Sequence, residues 1–339
     1  MASGRDVIVV AASAGGLQPL RTFLSQLPED LPAAVFVVLH VPATGGRSLP
    51  RILDRSGPLP AAGAVDGERV QNGRIYVAPP DRHLLFVKDS VRLSSGPRQN
   101  GVRPAADPLF RSAALHAGPR TIAVVLSGTL DDASLGSATV ERLGGRVVVQ
   151  DPADADYESM PANAISVTGN PVVVSAAHLA KRVIGLAAEE AEPLSPDVSQ
   201  PDEELSAEIA GLLTGNLETN TGSRVHSSFT CPECGGPLYH ARDDRVDTFD
   251  CLVGHRWAPE SLVEQQSQSV ERALWLAIRS LDERRRLLTR MATAARERGH
   301  MASVRQFTKA ADEAERSADA IREVASGMTS AVAAEPERA

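Results

Sequence analysis

The stretch VIVVAASAGG, residues 7–16, decides the fold. It begins with four consecutive apolar residues, and such a run without polar alternation is typical of a strand buried on both faces of a parallel sheet. Small residues then surround Ser13, and Gly15 and Gly16 follow at once. Small side chains and glycine allow a tight bend between a strand and a helix. The stretch therefore predicts a strand, a sharp corner that presents the Ser13 hydroxyl, and a helix.

Short valine-rich runs of the same kind recur through residues 6–187. We expect further strands at residues 35–39, 121–126, 147–150 and 172–174, and helices at residues 17–27, 108–116 and 134–143. Residues 74–94 predict a strand followed by an antiparallel hairpin that turns at residues 88–90. The fold class we expect is α/β, with a doubly wound, mostly parallel sheet and a small antiparallel hairpin addition.

Composition excludes several classes of protein. The formal net charge is −8, whereas a general nucleic-acid-binding protein usually has a basic face. No apolar stretch approaches the length needed to cross a membrane, and no signal peptide is visible at the amino terminus. We therefore expect a cytoplasmic protein with no nucleic-acid partner and no membrane insertion.

Three side chains with catalytic chemistry follow three of the predicted strands. Ser13 follows the first, His40 ends the second, and the pair Asp131-Asp132 comes after the strand at 121–126. The carboxyl ends of parallel strands face one crevice, where ligands bind. The pattern predicts a serine nucleophile, a histidine base and an orienting aspartate, with the amide N–H groups of the helix that starts near Gly16 directed at the oxyanion. The backbone amide of Ala14 is a further candidate donor.

Other interpretations of these residues remain open at this point. A serine at such a turn also occurs in phosphate-binding loops, a histidine at a strand end is often structural, and paired aspartates often cap helices. A dinucleotide site is disfavoured, because the chain lacks the Gly-x-Gly-x-x-Gly motif and has His40 where an acidic ribose ligand is expected. The chain order Ser, His, Asp also differs from the Ser, Asp, His order of α/β-hydrolases.

Six blocks of residues 6–187 together resemble the catalytic domain of the CheB family of chemotaxis protein-glutamate methylesterases. They are AASAGG at Ser13, LHVP at His40, GRIYVAPPDRHLLF at 73–86, VRPAADPLFRSAA at 102–114, LSGTLDDASLG at 126–136 and YESMPANAI at 157–165. The resemblance implies that Ser13 is the nucleophile, His40 the general base and Asp132 the orienting acid of a triad, with the backbone amide of Thr129 in the oxyanion hole.

The resemblance also implies an activity and its partners. The expected reaction is hydrolysis of glutamyl methyl esters on chemoreceptor-like signalling proteins, with release of methanol, and deamidation of glutamines is a related family activity. It needs no catalytic cofactor. The implied partners are helices of methylated chemoreceptors or other signalling proteins, together with a methyltransferase as a further candidate. The alternative from another class is a non-catalytic scaffold or interaction protein built on an esterase-like domain.

The sequence departs from the family pattern in places. Ala14 stands where family members commonly have threonine, and Leu130 and Ala133 stand where they commonly have glycine. Asp131 is left as a solvent-facing residue or a cap for the helix near Ser134. Since no receiver domain precedes the first strand, we expect a stand-alone catalytic domain.

The carboxyl-terminal part of the chain predicts four further segments. Residues 188–228 predict an acidic linker, disordered or weakly helical around 207–213, and residues 229–257 a small zinc-ribbon-like module. Residues 258–327 predict a helical hairpin, since apolar residues recur there at helical spacing, and residues 328–339 a disordered tail.

The predicted module carries the pattern of a metal site. Its ligands would be Cys231, Cys234, Cys251 and His255, arranged as C-x2-C and C-x3-H, which suits a structural Zn²⁺ in tetrahedral geometry. His240 is a competing ligand between the two pairs. Buried cysteines without a metal are the alternative. All three cysteines of the chain lie here, which does not resemble a disulfide framework.

Overall fold

The computed structural model describes residues 4–40, 48–193, 202–215, 225–243 and 245–332. The first nine strands are β1 (Val7–Ala12), β2 (Ala34–Leu39), β3 (Ala61–Gly63), β4 (Ile75–Val77), β5 (His83–Val87), β6 (Ser90–Ser94), β7 (Thr121–Val125), β8 (Arg146–Gln150) and β9 (Val172–Val174). Seven of them form one parallel sheet in the order β3-β4-β2-β1-β7-β8-β9, and β5 and β6 form the antiparallel hairpin. The α/β fold class predicted from the sequence is confirmed.

Helices cover both faces of this sheet. They are α1 (Leu17–Ser25), α2 (Leu49–Asp54), α3 (Ala106–Ala117), α4 (Ser134–Arg142), α5 (Ser159–Val167) and α6 (Ala176–Ala188). Alternate residues of β1 enter opposite apolar clusters, with Val7, Val9 and Ala11 in one and Ile8, Val10 and Ala12 in the other. Burial on both faces explains why the strands are continuously apolar in sequence.

The predicted linker contains a helix that packs against the sheet domain. This helix, α7 (Glu203–Thr214), is capped by Asp202, whose carboxylate accepts from the Leu205 backbone N–H at 2.9 Å. Its buried residues Leu205, Ile209 and Leu212 join the core cluster that contains α3. Of the two expectations for this segment, disordered or weakly helical around 207–213, the structure has the helix and extends it to residues 203–214, because three apolar side chains at helical spacing form one face that packs on α3. Residues 194–201 and 216–224 lie outside the described residues.

A four-stranded antiparallel sheet follows. Its strands are β10 (Val225–Thr230), β11 (Pro237–Asp243), β12 (Val246–Cys251) and β13 (Arg256–Trp257). We call residues 225–262, which comprise this sheet and the first turn of helix α8 (Pro259–Glu297), the C-terminal module. The described residues up to Leu262 form one compact unit that includes both the seven-stranded sheet and the C-terminal module.

The residues from Val263 onward form a second unit. In it, the rest of α8 and helix α9 (Met301–Val332) form the predicted helical hairpin, with Gly299 in the left-handed conformation at the turn. Arg322 donates to Asp282 across the hairpin at 2.7 Å. The prediction of a disordered tail over 328–339 is wrong for residues 328–332, which continue α9, and the rest of that segment lies outside the described residues. No helix in the described ranges is both long enough and apolar enough to cross a membrane.

Candidate active site

The corner after β1 is built around Ser13. The Ser13 backbone N–H donates to Ser127 O at 3.0 Å, and Gly16 N–H closes the turn on Ser13 O at 3.0 Å. Gly15 has φ +68°, and a Cβ at this position would lie 2.6 Å from the Asp156 Cβ. Both the backbone conformation and the space therefore require glycine there. The corner is thus locked between the loops that follow β7 and β8.

Ser13 and His40 lie side by side at the edge of the sheet. The parallel register pairs Ala12 with Leu39, and His40 N–H donates to Ala12 O at 3.0 Å, so Ser13 and His40 are the next residues on adjacent strands. The loop after β7 lies against the same place, since a Cβ on Gly128 would come within 2.9 Å of the Ser13 Cβ. The three predicted strand ends therefore converge.

Asp132 is the partner of His40. The His40 Nε2 atom lies 2.8 Å from Asp132 Oδ2, and the Asp132 side chain is buried. Burial opposes ionisation of this carboxyl, but the hydrogen bond from His40 and two backbone N–H groups hold the pKa of Asp132 at about 2. The carboxylate is therefore charged at neutral pH and fixes the histidine tautomer with the proton on Nε2.

The backbone donors to Asp132 come from the first residues of α3. Ala106 N–H donates to Oδ2 at 2.6 Å and Asp107 N–H to Oδ1 at 3.2 Å, so the amino terminus of this helix stabilises the carboxylate. The neighbouring Asp107 carboxyl accepts from Gly136 N–H at 2.7 Å. Burial and the adjacent Asp132 charge raise the pKa of Asp107 well above its usual range.

Asp131 has a different role from the one the sequence suggests. Its side chain is buried, and it accepts from the backbone N–H of Glu260 at 2.8 Å and of Ser261 at 3.2 Å, and from the Ser261 hydroxyl. It therefore caps the first turn of α8. The expectation of a solvent-facing residue or a cap for the helix near Ser134 is wrong, because the tertiary structure brings a distant helix terminus to this carboxylate.

The two backbone amides predicted as oxyanion donors have no acceptor in the described structure. Within the described part of the chain, the N–H groups of Ala14 and Thr129 donate to no protein acceptor. In contrast, Leu130 N–H donates to Ser159 Oγ at 3.0 Å. Leu130 and Ala133 have φ +64° and +75°, the left-handed region that favours glycine. Leu130 and Ala133, which stand where the family commonly has glycine, therefore adopt a backbone conformation typical of glycine and are strained in it.

The predicted metal ligands meet in the C-terminal module. One ligand atom each from Cys231, Cys234, Cys251 and His255 lies within 4.8 Å of all the others. His240 is not in this cluster, and its Nε2 lies 3.1 Å from Asp247 Oδ1 on the exposed face of the sheet. In the part of the chain that the structure describes, this group of four is the only one with a geometry suited to a metal ion.

Sequence reasoning missed two residues that support Asp132. The Asn100 side chain donates to both Asp132 and Asp107. The His83 ring is buried, donates from Nε2 to Pro97 O at 3.0 Å and accepts at Nδ1 from Ala105 N–H at 3.2 Å. Burial lowers the pKa of His83 to about 4, so it is neutral at pH 7 and orders the chain before α3. In the sequence, only their position pointed to them: His83 lies within the block at 73–86 that resembles the CheB family, and Asn100 lies just before the block at 102–114.

The part of the chain that holds this site is similar to known proteins. Residues 8–183 match the family described as CheB methylesterase. A protein-glutamate methylesterase/protein-glutamine glutaminase of Methanosarcina mazei is 35% identical over 167 residues, which cover 47% of this chain and 46% of that protein. One of Anaeromyxobacter dehalogenans is 41% identical over 157 residues, covering 46% of each chain.

A solved structure gives the same result. The crystal structure of the Thermotoga maritima CheB methylesterase catalytic domain is 33% identical, covers 54% of this chain and 99% of its own, and superposes with a TM-score of 0.52. The present chain spans about half the length of the curated relatives it matches. The family match extends over more than half of the sequence, so the chain belongs to the CheB methylesterase family.

Proposed function

We propose that this protein is a serine esterase that hydrolyses glutamyl methyl esters on helices of chemoreceptor-like signalling proteins. The observation that carries the proposal is the short contact between His40 Nε2 and the buried, ionised Asp132, at the end of the strand next to the one that Ser13 follows. A histidine held in one tautomer beside a serine is the arrangement needed to activate a hydroxyl nucleophile. The names of the curated relatives agree with this substrate class.

The proposed reaction uses these groups in the following way. The N–H group at Nε2 of His40 is hydrogen-bonded to Asp132. Nδ1 is therefore the nitrogen that takes the proton of the Ser13 hydroxyl as Oγ attacks the ester carbonyl. The free N–H groups of Ala14 and Thr129 would hold the oxyanion. His40 then protonates the methoxide oxygen, methanol leaves, and water attacks the glutamyl-enzyme to release the carboxylate and regenerate Ser13.

Deamidation uses the same intermediate. If the substrate is a glutamine, ammonia takes the place of methanol as the leaving group, and the hydrolysis of the glutamyl-enzyme is unchanged. We include this second activity, since the relatives are named as both methylesterases and glutaminases. A methyltransferase that forms the ester is a further proposed partner, because the esterase substrate must be supplied by methyl transfer.

We also propose that the four clustered side chains bind a structural Zn²⁺. Bond lengths of about 2.3 Å to sulfur and 2.0–2.1 Å to nitrogen place tetrahedral ligands about 3.5–3.8 Å apart. The Sγ atoms of Cys234 and Cys251 are 3.7 Å apart, and His255 Nδ1 lies 3.8 Å from Cys231 Sγ and 3.5 Å from Cys251 Sγ. Four protein ligands close the coordination shell, so the ion would stabilise the module and take no part in the hydrolysis.

The test is to compare the wild-type protein with Ser13→Ala. Methanol release from methylated receptor helices should fall on the order of 10⁶-fold, because removing the nucleophile costs nearly as much as removing the whole triad. An unchanged melting temperature would show that the fold is intact. Substantial turnover by a correctly folded Ser13→Ala protein would rule out the serine mechanism.

A further inference from the structure

The C-terminal module docks against the acid of the proposed triad. The Asn100 backbone N–H donates to Arg256 O at 2.8 Å, and Ala258 N–H donates to Asn100 Oδ1 at 2.8 Å. Asn100 and Ala258 are both buried. The loop before α3 is therefore hydrogen-bonded directly to β13 and to the residue between β13 and α8.

The Asn100 amide connects this contact to the triad. Its Nδ2 donates to Asp132 Oδ1 at 3.3 Å and to Asp107 Oδ2 at 3.1 Å, while its Oδ1 is used by Ala258. The residue has φ +52°, a conformation that asparagine tolerates better than most residues. One side chain thus holds two neighbouring carboxyls and one backbone amide of the module.

Two other contacts fix the module in the same place. Asp131, next to Asp132 in the chain, caps the first turn of α8 through Glu260 and Ser261. On the other side of the module, the Glu208 carboxylate of α7 lies 2.6 Å from both Arg256 and Arg111 of α3. The Asn100 side chain is buried and uses both its Oδ1 and its Nδ2, so it has little freedom to turn away from Asp132 while the module stays in this place.

We propose, on the basis of the serine mechanism above, that Asn100 is a positioning residue for Asp132 and that the C-terminal module acts through it as part of the catalytic machinery. Without the Asn100 donor, Asp132 Oδ1 keeps only the 3.2 Å bond from Asp107 N–H. The adjacent Asp107 carboxyl would also lose the amide that separates it from Asp132. The orientation of His40 depends on Asp132, so the activation of Ser13 depends on where the module holds Asn100.

The experiment measures the rate at which a fluorophosphonate labels Ser13 in the full chain. This probe reports on nucleophile activation and does not require the receptor substrate. Asn100→Gly keeps the left-handed backbone and removes the amide, and its labelling rate should fall about 10- to 100-fold, as expected for a misplaced catalytic group. The matched control is Asn72→Gly, which removes one exposed bond to Pro32 O, and its rate should stay within about twofold.

Asn100→Asp gives a readout that a merely structural role would not move. Its carboxyl keeps an acceptor for Ala258 and, when protonated, one donor for Asp132, whereas its ionised form repels Asp132. The labelling rate of this variant should fall reversibly as pH rises, relative to wild type and to Asn72→Asp. A melting curve of the same sample at each pH gives the folded fraction, so that a slower labelling rate is distinguished from pH-dependent unfolding.

The outcomes separate the two proposals. Labelling of Asn100→Gly at the wild-type rate, or a pH profile for Asn100→Asp like that of wild type, would overturn the positioning role while leaving the esterase proposal intact. A wild-type protein that is folded but not labelled at Ser13 would overturn the serine mechanism, and the role of Asn100 with it. A slow Asn100→Gly together with an unaffected Asn72→Gly supports the proposal.

Discussion

Replacing Asp132 with asparagine should nearly abolish activity. Asp132 accepts at both oxygens, from His40 and Ala106 at Oδ2 and from Asp107 and Asn100 at Oδ1. The asparagine amide has only one acceptor oxygen, so its NH₂ group must face two donors in either orientation. The negative charge that would stabilise the imidazolium of His40 is lost as well. We expect kcat to fall roughly 10⁴-fold, as for the corresponding change in a serine protease.

The same change also lowers stability. Each buried donor that loses its acceptor costs about 1–3 kcal/mol of stability. In Asp132→Asn, at least one backbone N–H group of α3, that of Ala106 or of Asp107, has no acceptor. The adjacent Asp131→Asn is the matched control. The Glu260 and Ser261 backbone N–H groups donate to different oxygens of Asp131, so the asparagine carbonyl keeps only one of these two bonds and the variant loses part of the α8 cap, but position 131 does not contact His40. Its kcat should stay within about threefold of wild type, because it changes no group of the triad.

The assay is hydrolysis of a small chromogenic ester by the two variants and wild type, with melting curves on the same samples. An inactive Asp132→Asn protein together with an active Asp131→Asn protein would agree with the contact between His40 and Asp132. The reasoning fails if Asp131→Asn is the inactive protein, or if both variants retain wild-type rates, because His40 would then be oriented by another group.

Two further predictions concern the metal and pH. Protein purified without chelator should carry about one zinc per chain. The Cys231→Ser variant should lose the zinc and have a less stable module, since metal binding supplies much of the folding energy of such sites. Metal analysis that finds no zinc in the wild-type protein would refute the site. Burial raises the pKa of Asp131 from 3.8 to about 6, so its contribution to stability is present in full below 3.8 and is lost as pH rises through 6. Relative to Asp131→Asn, the wild-type protein should therefore gain up to about 3 kcal/mol in unfolding free energy as pH falls from 7 to 4, at about 1.4 kcal/mol per unit of pKa shift. Urea denaturation of both proteins across this pH range measures the difference, and a difference that does not change with pH would contradict the prediction.

Much of the fold could be predicted because its signals are local. The strands around β1 are continuous apolar runs, and the corner at Ser13 is marked by small residues and by a glycine that the left-handed conformation requires. The spacing of the four metal-ligand candidates is also local, since each pair lies on one tight turn. Parallel strands place their carboxyl ends at one edge, which is why Ser13, His40 and Asp132 could be proposed together.

The sequence by itself thus determined the α/β architecture, the candidate triad and the candidate metal ligands. The tertiary structure alone decided what surrounds Asp132. Asn100 and Ala258 are 158 positions apart, and Asp131 and Ser261 are 130 apart, so no local pattern could predict that they meet. Likewise, α7 lies in an acidic stretch whose few apolar residues become significant only against α3. Contacts of this kind depend on how completed elements pack, because burial and hydrogen-bond satisfaction are properties of the assembled fold.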